Sequence, residues 1–199
     1  MPKNFSAEKL IKDIRLGLAD GIAVKKKVAE GDLSILAEIA AALINCLKNK
    51  GKIIIFGNGG SAADSLHIAA ELVGRFEKER EPLAAISLVS NVSNLTAIAN
   101  DYGYEEIFAK QLSAIAVPQD IAWGISTSGN SANVLKAINK AKELGLLTIG
   151  FSGSSGGQLR KMADLNFIVP SNNTARIQEA HIAVAHLLCK SIEEYFLSE

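Results

Sequence analysis

The stretch Lys52-Ile53-Ile54-Ile55-Phe56-Gly57-Asn58-Gly59-Gly60-Ser61 decides the fold. Four apolar residues without alternation describe a strand buried on both faces, and the change to glycine and small polar residues ends it where a helix begins at Ser61. Four further short apolar runs, at 83–88, 121–125, 147–151 and 166–169, repeat the arrangement of strand, small polar loop and helical segment. Such alternation builds a parallel sheet covered on both faces. The chain therefore reads as α/β, a three-layer doubly wound sandwich with a parallel sheet of about five strands.

Outward from this core, residues 1–50 carry helical periodicity. Ile11, Ile14, Leu18 and Ile22 form one stripe, and Leu36, Ile39, Leu43 and Leu47 a second, separated by a turn near Gly31-Asp32. The spacing predicts an N-terminal helical hairpin, integral to a single domain spanning 1–199. The last helix, roughly 174–197, spreads Ile177, Ile182, Val184, Leu187, Leu188, Ile192 and Phe196 around much of its circumference. A helix of this kind wants burial on several sides, and one small domain meets that demand by self-association into a homo-oligomer.

Composition agrees with one ordinary globular domain: 199 residues, 48% hydrophobic, 21 basic against 21 acidic side chains. A neutral balance gives no electrostatic footprint for nucleic acid or an anionic membrane, and no apolar stretch of about 18 residues occurs. The expected partners are a small-molecule substrate and further copies of the chain, with no nucleic acid and no membrane. Cys46 and Cys189 lie in apolar helical patterns, where a thiol acts as a small hydrophobe, so no disulfide framework is expected. Met1-Pro2-Lys3-Asn4 runs into charged residues without the apolar run of a signal peptide, and the expected compartment is the cytoplasm.

In an open parallel sheet, ligands bind beyond the carboxyl ends of the strands, where helix N-termini offer free N–H groups. Three loops there are distinctive. Gly57-Asn58-Gly59-Gly60-Ser61 lets a ligand approach the main chain, with Ser61 placed to cap the helix. Ser126-Thr127-Ser128-Gly129-Asn130-Ser131 sets four hydroxyls before the next helix, a combination suited to a phosphate dianion. Ser152-Gly153-Ser154-Ser155-Gly156-Gly157 is similar in kind, although nothing after it fixes a role. Gly57-x-Gly59-x-x-Ala62 also fits a dinucleotide fingerprint, but the second strand ends Ile86-Ser87-Leu88, without the acidic residue that would hold a ribose. A P-loop is excluded because no Gly-Lys-Ser/Thr follows.

All three histidines lie on two helices. His67 and Glu71 are four apart, on one helix face, either a surface pair or a base beside a metal-ligand pair. Gln178, Glu179, His181 and His186 lie on the last helix. Eight residues separate Gln178 from His186, about 12 Å along a helix, so they meet one ion only by both reaching inward or by coming from different subunits. Asn100-Asp101 reads either as a turn and helix cap or as a further polar element of the site.

These motifs, taken in order, closely resemble the bacterial phosphoheptose (sedoheptulose 7-phosphate) isomerases, which are sugar isomerase (SIS) domain proteins. The resemblance rests on Gly57-Asn58-Gly59-Gly60-Ser61 with His67 and Glu71, Asn100-Asp101, Gly124-Ile125-Ser126-Thr127-Ser128-Gly129-Asn130-Ser131, and Arg176-Ile177-Gln178-Glu179 with His186, over essentially the whole chain. It implies interconversion of D-sedoheptulose 7-phosphate and D-glycero-D-manno-heptose 7-phosphate, the first step towards ADP-heptose and the lipopolysaccharide core. Further implications are a cytoplasmic homotetramer with interface active sites and one Zn²⁺ per subunit held by His67, Glu71, Gln178 and His186. Glu71 and His186 take the positions of catalytic base and acid. The candidate substrate contacts are Asn58, Gly59, Gly60, Ser61, Glu71, Asn100, Asp101, Ser126, Thr127, Ser128, Ser131 and Gln178. Two other readings share the fold: a non-catalytic protein that binds the replication initiator, and a phosphosugar-sensing module.

Overall fold

The computed structural model describes residues 6–198. The Met1-Pro2-Lys3-Asn4 stretch behind the compartment expectation lies outside them. In chain order the elements are α1 (Ala7–Ala29), α2 (Ser34–Lys48), β1 (Ile53–Gly57), α3 (Gly60–Val73), β2 (Ala85–Ser87), α4 (Val92–Tyr102) and a 3₁₀ turn (Tyr104–Glu106). There follow α5 (Ile107–Ile115), β3 (Ile121–Ile125), α6 (Ala132–Glu143), β4 (Leu147–Gly153), α7 (Leu159–Met162), β5 (Leu165–Val169) and α8 (Thr174–Ser198).

Five strands form one sheet in the order β2-β1-β3-β4-β5, every neighbour parallel. The sheet divides two apolar layers, as strands without hydrophobic alternation require. Ile53, Ile55, Trp123, Ile149, Phe151 and Phe167 pack with residues of α2, α3 and α8, while Ile54, Phe56 and Ala122 pack with α5, α6 and α7. From β1 the chain crosses to β2 on one side and then back to β3 on the other. That reversal opens a crevice at the carboxyl ends of β1 and β3, where a doubly wound sheet takes its ligand.

The two N-terminal helices are present, and the second buries its stripe as expected at Ile39, Leu43 and Leu47. The stripe of α1 does not reach the core. Ile11, Ile14, Leu18 and Ile22 are each more than half exposed, and the buried residues of α1 are Gly21 and Val24. Both helices rest on α8; at Gly21 a Cβ would come within 2.7 Å of Glu179 Oε2, so α1 touches α8 along a narrow edge and turns its apolar stripe outward. On α8, Ile177, Val184, Leu188 and Ile192 are buried, whereas Leu187 is exposed.

Cys46 and Cys189 are free and buried; burial pushes their thiols up to about 11 and about 12, which keeps both protonated at neutral pH. Among the described residues, no helix is long and apolar enough to cross a membrane.

One glycine ties the loop after β3 to the loop after β4. Gly129 has φ +66° and a Cβ there would lie 2.0 Å from the carbonyl oxygen of Gly156. Gly129→Ala is expected to cost more than about 2 kcal/mol, combining a left-handed backbone with an overlap that moves main chain. Urea unfolding checks this, and a parental midpoint would refute the close packing of the two loops.

Candidate active site

The loop after β1 is shaped by close contacts. A Cβ on Gly57 would meet Ile125 O and Ser61 Cβ at 2.8 Å, so only glycine lets β1 pass beside the first turn of α3. Gly59, at φ +55°, is the N-cap of α3 and leaves it without a side-chain cap. Ser61 therefore does not cap the helix as its position suggested; because the turn closes on Gly59, Ser61 falls inside the first turn and is buried. The Ser61, Ala62 and Ala63 amides turn back onto the carbonyls of Asn58 and Gly59.

Asn58 is held by two side chains. It exchanges hydrogen bonds of 2.8 Å with Asn133, its amide donating to Asn133 Oδ1 and its Oδ1 accepting from Asn133 Nδ2. The Tyr104 hydroxyl donates to the same Oδ1 at 2.9 Å. Asn133 is buried and also accepts from the Val134 N–H, so it joins the loop after β1 to the start of α6. Beside them lies a cleft of about 600 Å³ lined by Asn58, Tyr102, Tyr104, Ser131 and Asn133, among others.

After β3, three hydroxyls converge. Ser126 Oγ lies 2.9 Å from Ser131 Oγ and 3.5 Å from Ser128 Oγ, which accepts from the Asn130 N–H. Ser131 is the N-cap of α6, and its side chain caps no helix amide. Thr127, half-buried, accepts the Gly153 N–H through its carbonyl. The loop after β4, whose role the sequence left open, is thus a brace: Leu159 N donates to Gly129 O and Gln158 N to Asn130 Oδ1. Asn100 and Asp101 form the exposed last turn of α4, where the Asn100 amide donates to Asp101 Oδ1 at 2.8 Å; they neither cap a helix start nor line the cleft.

A second cluster sits on α3 and α8. His67 Nε2 lies 2.9 Å from Glu71 Oε1 and 3.4 Å from His186 Nε2, and one ligand atom from each of the three falls within 4.8 Å of the others. The two candidate catalytic groups, from separate helices, therefore meet within one chain. Gln178 is placed differently. Its carboxamide lies over Gly60, where a Cβ would be 2.4 Å from Nε2, at the other end of α3 from Glu71. Eleven residues of helix, about 16 Å, separate Gly60 from Glu71. The i,i+4 reading of His67 and Glu71 holds as geometry. The donor set also fits zinc: imidazole and carboxylate are usual ligands, and two nitrogens about 2.0–2.1 Å from a tetrahedral ion stand about 3.4 Å apart, the spacing His67 and His186 show.

His181, grouped with the site by sequence, is a core residue. Burial pushes its imidazole down to about 4, against a 2.9 Å contact of Nε2 with Ser152 O that acts the other way, so it stays neutral. The sequence reading passed over three neighbours of the site. Asp64, one turn before His67, is half-buried; burial raises its carboxyl to about 6, opposed by His67, and Oδ2 has no hydrogen-bond partner among the described residues. Phe76 stacks on His186 with ring centroids 5.5 Å apart. Asn133 is the third. The i,i+3 spacing signals Asp64, whereas Phe76 and Asn133 are brought in by tertiary folding.

Comparison with known proteins is consistent along the chain. The SIS domain family model matches residues 18–153. A phosphoheptose isomerase of Helicobacter pylori (strain P12) is 53% identical over 171 residues, covering 86% of this chain and 89% of the relative. Among solved structures, the phosphoheptose isomerase of Neisseria gonorrhoeae superposes with TM-score 0.88 at 40% identity, covering 93% of this chain and 99% of that one. That of Francisella tularensis gives 0.89 at 38% identity, covering 92% and 98%.

Gly60 tests the placement of Gln178. A methyl at this helical position favours the helix but displaces the end of the Gln178 side chain, so Gly60→Ala should keep its melting temperature while substrate turnover falls about tenfold or more. Retained turnover would show that Gln178 needs no such placement.

Proposed function

The chain belongs to the phosphoheptose isomerases of the SIS-domain family, and from that premise we propose how its residues divide the work. The enzyme interconverts D-sedoheptulose 7-phosphate and D-glycero-D-manno-heptose 7-phosphate. Ketose and aldose differ by a proton moved between adjacent carbons, through an enediol whose oxygens carry transient charge. Glu71 is the base that takes and returns the carbon-bound proton. Its Oε1 faces His67, which leaves Oε2 for the substrate. His186 moves the second proton between the two oxygens. The observation that carries this reading is the meeting of Glu71, His67 and His186 within 4.8 Å.

The phosphorylated end is held at the crevice between β1 and β3. Ser126, Ser128 and Ser131 supply hydroxyls, Thr127 stands between them, and Asn58, Gly59, Gly60 and Ser61 supply the facing loop. From the exposed last turn of α4, beside the cleft that Tyr102 lines, Asn100 and Asp101 would reach sugar hydroxyls that project out of it, and Gln178 contacts substrate from above Gly60. His67, Glu71, Gln178 and His186 would hold one Zn²⁺ per subunit. When bound, that ion polarises the carbonyl and stabilises charge on the enediol oxygens.

Self-association completes the site. The cluster stands about three turns along α3 from the phosphate loops, and exposed Leu66, Val73 and Leu187 lie beside it in sequence, with the outward stripe of α1 elsewhere on the surface. A homotetramer covers these faces and lets one subunit's phosphate loops serve a neighbour's His67, Glu71 and His186, with Gln178 supplied from another subunit than His186. We place the enzyme in the cytoplasm, at the first step towards ADP-heptose and the lipopolysaccharide core. The two binding-only readings are not favoured: the relatives are named as isomerases, and both Glu71 and His186 are present.

Three experiments test this. A coupled assay with sedoheptulose 7-phosphate, with and without chelator, should show turnover that chelation lowers. In the same assay Glu71→Gln should abolish isomerisation and solvent-deuterium incorporation while phosphate binding stays near parental; retained turnover would overturn the assignment. Leu18→Asp with Ile22→Asp should convert the tetramer to smaller species in sedimentation and lower activity with it. An unchanged sedimentation coefficient would refute the interface.

A further inference from the structure

Behind the His67–Glu71–His186 cluster lies a buried ion pair that the reaction does not touch. Arg80, in the segment after α3, and Glu193, on α8, have side chains 3% and 1% exposed, with Arg80 Nε 3.6 Å from Glu193 Oε1. Each is spent on backbone. Arg80 Nη2 donates to Glu71 O at 2.7 Å, and Nη1 donates to Leu72 O at 2.8 Å, Gly74 O at 3.1 Å and Glu81 O at 3.0 Å. Glu193 accepts the N–H groups of Phe76, Glu77 and Lys78 at 2.8–2.9 Å. Arg80 thus collects the last carbonyls of α3, beginning with that of Glu71, and Glu193 collects the amides that come next.

The pair also reaches the second catalytic group. Glu193 lies seven residues beyond His186, two turns along one face of α8, and the first amide it holds belongs to Phe76, whose ring packs on the His186 imidazole at 5.5 Å. Burying two charges is costly, and apolar side chains would fill the space at least as well; what ions add is direction, through hydrogen bonds that fix a backbone in one place.

We propose that Arg80 and Glu193 are positioning residues for the isomerisation: they clamp the end of α3 onto α8, setting the Glu71 carboxylate and, through Phe76, the His186 imidazole at their working separation. The clamp rests on the roles given above to Glu71 and His186, so its test carries Glu71→Gln alongside.

The experiment measures kcat and KM for sedoheptulose 7-phosphate per folded molecule, with the folded fraction from circular dichroism, for Arg80→Lys, Phe76→Leu and Phe76→Tyr. Arg80→Lys keeps the charge and loses the fork; Phe76→Leu keeps the ion pair and loses the ring through which the clamp reaches His186. Both should lower kcat about tenfold or more with KM within about twofold, because alignment in the transition state is lost while binding is kept. Phe76→Tyr should recover most of that loss. Should Arg80→Lys fail to fold, the two Phe76 variants decide. A kcat within about twofold of the parent in Phe76→Leu or in folded Arg80→Lys, or a loss that only tracks the folded fraction, overturns the clamp. Retained turnover in Glu71→Gln overturns the catalytic roles and the clamp with them; an inactive Glu71→Gln beside a fully active Phe76→Leu overturns the clamp alone.

Discussion

Parallel pairing of β1 with β3, running from Ile53 against Ile121 to Gly57 against Ile125, is the constraint from which the functional geometry follows. The register ends both strands at the same height, so that the loops after them open together and α3 and α6 start side by side. Neither strand can slip without turning apolar side chains towards the wrong layer, where Phe56 and Trp123 already fill opposite sides. The loop after β4 adds the third side by pressing Gly156 against Gly129. The crevice proposed for the phosphate is thereby built from main chain and small side chains, with its rigidity borrowed from the sheet.

The same helix serves the crevice and the core. On α3, Ile68, Ala69 and Leu72 are buried against the sheet and α8. His67 and Glu71 each lie one position before a buried residue, about 100° around the helix, which places them along its edge towards α8. On α8, His186 follows buried Ala185 and precedes exposed Leu187 in the same manner. Core packing of α3 on α8 thus sets the approach of His67, Glu71 and His186, the groups proposed to react, and no loop intervenes between hydrophobic core and this cluster.

What was legible in the sequence followed from local pattern. The five strands, the last helix and the glycine and serine loops are encoded by apolar runs and by residue types with few alternatives, and the structure has them where those patterns lie. The stripe of α1 was legible as apolar but not as outward-facing, because periodicity gives a face and not its partner. Ser61 has the chemistry of a cap, yet Gly59, with a backbone only glycine readily adopts, sets the helix start ahead of it. Asn133, Phe76 and Arg80 gained their places through contacts across 75, 110 and 113 residues of chain, to Asn58, His186 and Glu193. No window short enough to show periodicity spans such distances.

The exposed apolar surface makes the isolated chain an incomplete object in a specific sense. A stripe of isoleucines and leucines along α1 and the leucine next to His186 lie open to water, although the burial of each would contribute about 1.5–3 kcal/mol. A fold that fills both sides of its sheet so fully has no internal reason to leave such residues outside. The proposed homotetramer would take this surface inside an assembly and shelter the polar cluster beside Leu187 from bulk water. Shelter matters for the chemistry, because a carboxylate that removes a proton from carbon and donors that steady an enediol both act more strongly where water is excluded. The proposed assembly and the proposed catalysis would then place the same demand on α3 and α8: an apolar rim tight enough to exclude solvent around a few polar groups held in fixed register.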